Sequence, residues 1–192
     1  MKTTLCSALY LTLIAASALA AQPSFTKITE GPLATDLGVM PICPAWGDLN
    51  TDGYLDLLMV DGRWAVTNDF TRAVQMVYLN NTDGTFRRAT ESDVGPLATR
   101  AVVLGPMSLA DYDNDGYLDF FTTWYPPNRR CMMRNNRDGT FTEVNLGALT
   151  GDPAGWLAGC ADYDNNGFID VVVPYGTSNT PNAVYHNEGN EN

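Results

Sequence analysis

The feature that most constrains this chain is a nine-residue acidic segment that occurs three times without gaps. The copies are Asp48-Leu-Asn-Thr-Asp-Gly-Tyr-Leu-Asp56, Asp111-Tyr-Asp-Asn-Asp-Gly-Tyr-Leu-Asp119 and Asp162-Tyr-Asp-Asn-Asn-Gly-Phe-Ile-Asp170. A small residue precedes each one (Gly47, Ala110, Ala161), and an apolar stretch follows each one: Leu57-Leu-Met-Val60, Phe120-Phe121 and Val171-Val-Val173. An internal repeat of this kind sets a modular architecture before any single element is considered.

A second pattern alternates with the first. Val77-Tyr-Leu-Asn-Asn-Thr-Asp-Gly-Thr-Phe86 matches Met132-Met-Arg-Asn-Asn-Arg-Asp-Gly-Thr-Phe141, and Val184-Tyr-His-Asn-Glu-Gly189 begins it again. Asp-Gly between two extended runs predicts a tight β-hairpin. The front of the chain keeps the same register. Phe25-Thr-Lys-Ile-Thr29 corresponds to Phe86-Arg-Arg-Ala-Thr90, and Gly31-Pro-Leu-Ala-Thr35 recurs as Gly95-Pro-Leu-Ala-Thr99. One unit is therefore an inner strand, an acidic loop, a second strand and a hairpin of two outer strands. Four short strands per unit make a propeller blade. No long segment has a helical period. The expected fold is all-β, a partial β-propeller of about three four-stranded blades with Asp-rich calcium loops.

The acidic loops point to a hard cation. Carboxylate or amide oxygens at positions one, three and five lie on one side of a tight turn, and Gly at position six permits a backbone that a Cβ resists. Position seven can offer its carbonyl, and the Asp at position nine closes the shell. An all-oxygen set with several carboxylates suits calcium rather than zinc or copper. Asx turns alone also favour Asp, Asn and Gly, but three aligned copies crowd like charges that a cation relieves. An EF-hand needs a carboxylate at position twelve and flanking helices. Met59, Thr122 and Val173 stand there, within strand formers, so EF-hands are excluded.

These paired motifs resemble FG-GAP/VCBS repeats, in particular those of the ASPIC/UnbV and cartilage acidic protein group. The resemblance implies a propeller related to integrin α-subunit heads, holding about three calcium ions. Carried over by position, it implies side-chain ligands Asp48, Asn50, Asp52 and Asp56, then Asp111, Asp113, Asp115 and Asp119, then Asp162, Asp164, Asn166 and Asp170. The carbonyls of Tyr54, Tyr117 and Phe168 complete the implied sets. The Phe-Gly and Gly-Ala-Pro signatures that name the repeat are absent.

Three blades do not close a ring by themselves. The chain opens with an expected outer strand, Phe25 to Thr29, and finishes with its expected hairpin partner, Ala183 to Asn187. A partial gene product and self-association are both expected from this arrangement. Two chains would together supply six blades.

Residues 1–20 are expected to be a signal peptide: Lys2 is positive, Leu5 to Leu19 is apolar or small, and Ala18-Leu19-Ala20 fits a cleavage site. Residues 21–192 form the repeat region, with no membrane span in the mature chain. The expected location is secreted, periplasmic or on the cell surface. A net charge of −11 disfavours nucleic acid as a partner. The spacing of Cys43, Cys131 and Cys160 fits no zinc pattern, and they are expected as small buried apolar residues.

No catalytic constellation is present, and the chain is expected not to be an enzyme. His186, the single His, is expected at a hairpin surface. Arg129-Arg130 reads as a binding spot or a solvated pair. Trp46, Trp64, Trp124 and Trp156 are expected mostly in packing between blades, and Asp36 lies outside every acidic loop. Asn80-Asn-Thr82 is a glycosylation sequon in a tight hairpin. The expected function is calcium-dependent binding or adhesion toward an extracellular protein or glycan. The alternative is a non-catalytic or partial domain of a polysaccharide-active enzyme.

Overall fold

The computed structural model describes residues 24–36, 41–61, 75–98, 103–125, 129–151, 158–175 and 180–189. The expected leader, Trp64, Trp156 and the side chain of Trp124 lie outside the described residues. Three antiparallel sheets follow one another along the chain. In the first, β1 (Pro41–Gly47), β2 (Asp56–Asp61), β3 (Gln75–Asn80) and β4 (Phe86–Arg88) pair in sequence order. The second repeats this with β5 (Val103–Ala110), β6 (Asp119–Tyr125), β7 (Arg129–Asn135) and β8 (Phe141–Val144). The third has three strands, β9 (Gly159–Ala161), β10 (Asp170–Val173) and β11 (Ala183–Tyr185). The chain is all-β, and the arrangement is that of a partial β-propeller. Among the described residues no helix is long and apolar enough to cross a membrane.

Period-two alternation explains how the sheets stack. The first residue after each ninth-position Asp (Leu57, Phe120, Val171) faces the preceding sheet, and the second (Leu58, Phe121, Val172) faces the following one. Leu58, Val60, Val77 and Leu79 thus meet Phe120, Cys131 and Met133 between the first two sheets. Phe121 and Met132 meet Val171 and Val173 between the second and third. A short helical turn plugs each of these joins. Val94 closes α2 (Glu91–Val94), and Leu97 sits in the 3-10 turn Gly95–Ala98; both enter the first join. Leu149, on α3 (Ala148–Gly151), enters the second. On the outer face of the first sheet, Leu33 of α1 (Pro32–Thr35) packs against Leu57, Met76 and Tyr78. The two Gly-Pro-Leu-Ala-Thr segments are therefore equivalent plugs. Gly47 marks how closely the sheets approach, since a Cβ there would meet the Leu109 and Leu118 side chains at 2.7 Å.

Three expectations need correction. Phe25 to Thr29 forms no strand; Phe25 is 97% and Ile28 73% exposed. The β11 edge that its sequence matches lies two sheets away in the same chain. Arg130 is neither solvated nor at a surface. It is fully buried, donates to the Tyr175 and Tyr185 hydroxyls at 3.1 and 2.9 Å, and lies over both rings. Trp46 is half exposed, with its ring edge on Phe86. Asp36 accepts hydrogen bonds from Tyr78 Oη (2.6 Å) and Arg88 (3.2 Å), which anchors α1 to the first sheet. Cys43, Cys131 and Cys160 are free thiols, buried or half-buried, as the composition suggested. Burial pushes the Cys160 thiol up to about 11.

Candidate metal centres

Each acidic loop leaves an inner strand and enters β2, β6 or β10. Its shape is set by carboxylates that accept the loop's own N–H groups. The first-position Asp caps the turn. Asp48 accepts from Asp52 and Gly53 N–H (3.0 and 2.8 Å), Asp111 from Asp115 and Gly116 (3.0 and 2.8 Å), and Asp162 from Asn166 and Gly167 (3.1 and 2.9 Å). The sixth-position glycines sit at φ near +90°, namely 89° at Gly53, 89° at Gly116 and 92° at Gly167, a backbone that a β-branched residue resists. Asp52, Asp115 and Asn166 accept the N–H of Tyr54, Tyr117 and Phe168.

The ninth-position Asp is an anchor. Its two oxygens accept one N–H from the loop and one from the end of the third strand or just past it: Leu49 and Asn80 for Asp56, Tyr112 and Asn135 for Asp119, Tyr163 and, two residues beyond β11, Asn187 for Asp170. All three are buried. Burial pushes the Asp119 carboxyl up to about 6 and also raises Asp56. The Asn187 N–H, foremost, holds Asp170 below the ordinary carboxylate range.

The loops differ in what their third-position residue faces. In the second loop, oxygens of Asp111, Asp113 and Asp119 lie within 4.8 Å of one another. Asp113 Oδ2 is paired with Arg134 at 2.8 Å, while Asp113 Oδ1 is buried and makes no hydrogen bond. Burial raises the Asp113 carboxyl, with the Asp115 and Asp111 charges adding to the rise and Arg134 and the nearby Asp115 N–H, which falls short of hydrogen-bond geometry to Oδ1, opposing it. A buried carboxylate oxygen without a donor is costly unless a cation takes it. The residues present therefore fit a hard divalent ion, held by Asp111, Asp113 and Asp119 with Asp115 beside them. Bound calcium would supply charge neutralisation and a rigid cross-link between loop and strand.

In the third loop, Asp164, Asp170 and His186 bring ligand atoms within the same 4.8 Å. His186 Nδ1 is 3.0 Å from Asp170 and 3.6 Å from Asp164. Asp162 is not in this group; it caps the turn. The first loop gathers no such trio of carboxylates among the described residues. Asn50 replaces the third-position Asp, and its amide is spent inside the loop on Asp52 (3.0 and 3.1 Å).

Two features escaped the sequence reading. His186 is exposed, as expected of a hairpin surface, but its Nδ1 reaches Asp170 and joins the third loop's group. The residue at its register position is Arg134 in the second sheet and Leu79 in the first. The signal was available, since all three precede the Asn of the repeated hairpin. That Asn is the second missed feature. Asn135 Nδ2 donates to Leu49 O of the preceding loop (3.0 Å), and Asn187 Nδ2 donates to Tyr112 O of the preceding loop (3.0 Å). Each thus ties one blade to the one before it. Asn80, the sequon residue, spends its amide on Leu55 O and Thr82 N–H. The hairpin carboxylates Asp83 and Asp138 serve only their own turns, through Thr85 and Thr140. A cleft of about 630 Å³ lies between the second and third sheets, beside Asp113, Arg134 and His186.

Residues 111–173 match a family model described as FG-GAP-like repeat. The match takes in the second and third acidic loops, while the first loop has the same hydrogen-bonded frame outside it. No curated protein matches the chain. The narrower ASPIC/UnbV likeness rests on the motifs alone.

Proposed function

We propose, from the match of residues 111–173 to an FG-GAP-like repeat model, that the chain is an extracytoplasmic, calcium-loaded propeller module that binds a protein or glycan and catalyses nothing. The observation that carries this reading is the Asp111–Asp113–Asp119 group with its buried, unpartnered Asp113 oxygen. FG-GAP repeats build β-propeller-type interaction domains and are typical of extracellular proteins. The acidic side chains support binding over catalysis. The ninth-position carboxylates are committed to backbone N–H groups, and carboxylates that hold a metal stay ionised, which suits neither proton donation nor a raised catalytic pKa. Calcium in this role is structural. It fixes the loops at one end of the blades and so fixes the surface offered to a ligand, including the cleft between the second and third sheets.

The test is a panel of glycans and extracellular proteins presented to the chain in excess calcium and again in chelator. A ligand retained in calcium and released in chelator is expected. Ligand binding that is indifferent to calcium, or hydrolysis of a glycan by the purified chain, would overturn the reading.

A further inference from the structure

The third loop keeps the frame of the other two and changes the donors inside it. Asp162, an implied calcium ligand, lies outside the close group and serves the Asn166 and Gly167 N–H groups. Asn166 stands where the other loops have Asp52 and Asp115. Its amide is spent, Oδ1 accepting the Phe168 N–H at 2.7 Å and Nδ2 donating to the Asn187 carbonyl at 3.2 Å. What remains together is two carboxylates and an imidazole, those of Asp164, Asp170 and His186, with donor atoms within 4.8 Å of one another. Calcium takes a shell of many oxygens, and this group is short of them.

His186 is placed by contacts to its own blade and to the one before. β11 pairs with β10 through Ala183, Val184 and Tyr185. The Asn187 N–H donates to Asp170 at 2.7 Å, and the Asn187 amide donates to the Tyr112 and Ile169 carbonyls. Held between these anchors, His186 Nδ1 lies 3.0 Å from Asp170 Oδ1 and 3.6 Å from Asp164 Oδ2. Asp164 Oδ1 accepts the Asn166 N–H at 3.2 Å, which leaves Oδ2 toward the imidazole. The Tyr163 ring meets the imidazole edge-on, with centroids 6.0 Å apart. The two separations from Nδ1 bracket the ~3.4 Å edge of a tetrahedron whose ligands stand ~2.1 Å from a metal. Neither other blade offers a nitrogen ligand at this position, because Leu79 is in the core and Arg134 is a permanent cation.

We propose that the third loop is a zinc-class site, in which Asp164, Asp170 and His186 Nδ1 hold a borderline first-row divalent ion and water completes the shell. An imidazole donor raises affinity for zinc or cobalt, whereas calcium gains nothing from exchanging an oxygen for it. Three protein ligands with one open position suffice for zinc. Adjacent loops of one fold thus sort metals by their donors: the oxygen trio Asp111, Asp113 and Asp119 takes calcium, and the mixed trio takes zinc. The two loops touch through Asn114, whose Nδ2 donates to the Gly167 carbonyl at 2.7 Å. Both ions therefore brace the same end of the second join.

The full chain in excess calcium is titrated with zinc by calorimetry and with cobalt by visible absorption. Wild type is compared with His186→Gln, Asp164→Asn and Asp113→Asn, and thermal unfolding checks that each variant folds. Asp170 is left intact because it anchors the loop. Wild type is expected to take up a zinc ion that excess calcium does not displace. His186→Gln and Asp164→Asn are each expected to weaken zinc at least about tenfold, since loss of an outer partner alone costs roughly 10–100-fold. Both are expected to keep the calcium of the second loop, whereas Asp113→Asn loses that calcium and keeps the zinc. Zinc that calcium displaces, a zinc isotherm unchanged in His186→Gln, or zinc lost in Asp113→Asn would each overturn the assignment. So would a near-ultraviolet sulfur-to-cobalt band, which puts the ion on a cysteine. Failure on zinc leaves the calcium dependence of the second loop as it stands, because Asp113→Asn reads that separately.

Discussion

The first and second acidic loops share a hydrogen-bonded frame and differ in charge. In both, the first-position Asp caps the turn, Gly takes the positive φ, and the ninth-position Asp joins the loop to the third strand. At the third position Asn50 closes on its neighbour Asp52, whereas Asp113 leaves one buried oxygen open. Behind them stand Leu79, buried in the core, and Arg134, paired with Asp113. The lesson is that the shape of the loop and its demand for a cation are separable. Backbone N–H groups build the shape, and the added carboxylate creates the demand.

The largest expected effect breaks the shared part of the comparison. Asp56→Ala and Asp119→Ala each strip a partner from two backbone N–H groups, a cost of about 2–6 kcal/mol at roughly 1–3 per buried donor. Urea unfolding in chelator should show similar losses for both. In calcium, Asp119→Ala should fall further than Asp56→Ala, because it also loses the better metal site. Equal losses in both conditions would mean that the loops do not differ as described.

A smaller effect sharpens the contrast. Asn50→Asp gives the first loop the charge of the second and should tighten its calcium binding by about tenfold, or ~1.4 kcal/mol. Calorimetric titration reads this directly, and an unchanged isotherm would sever charge from affinity.

The smallest effect comes from a carboxylate remote from every loop. The Arg87 guanidinium, with both nitrogens on Asp93 at 2.7 and 2.8 Å, and the Thr90 N–H hold Asp93 well below the ordinary carboxylate range. A depressed folded-state pKa contributes stability that is present above the unfolded value, about 3.9 for Asp, and lost as the pH falls through the lower one. Asp93→Asn should therefore cost about 1 kcal/mol at neutral pH, discounted because Arg87 is half exposed. The deficit should shrink as the medium is acidified below about pH 4. Unfolding midpoints with and without calcium should move together in this variant, unlike those of the loop variants.

Most of the blade was legible because its signals are local. Aspartates at fixed offsets, glycine at the turn and apolar pairs after the ninth position all act within a few residues. What was not legible depends on partners far along the chain. Arg130 read as a binding spot or part of a solvated pair because Tyr175 and Tyr185 stand 45 and 55 residues away. Asn135 and Asn187 read only as members of the repeated hairpin, yet their amides reach carbonyls 86 and 75 residues back. Asp36 gave no sign of Tyr78, 42 residues on. Phe25 to Thr29 has the sequence of a strand, but a strand needs an edge, and the edge it matches lies at the far side of the third sheet.

The central claim is that the acidic loops are metal sites on which the fold depends. Thermal unfolding of the chain in excess calcium and in chelator tests it most directly. A ligand bound only by the native state adds about 2.7 kcal/mol per site at a hundredfold excess over Kd, a large share of the stability of a typical domain. The account predicts a clearly higher midpoint in calcium, rising with calcium concentration and diminished in Asp113→Asn. Midpoints that coincide in calcium and chelator would contradict it.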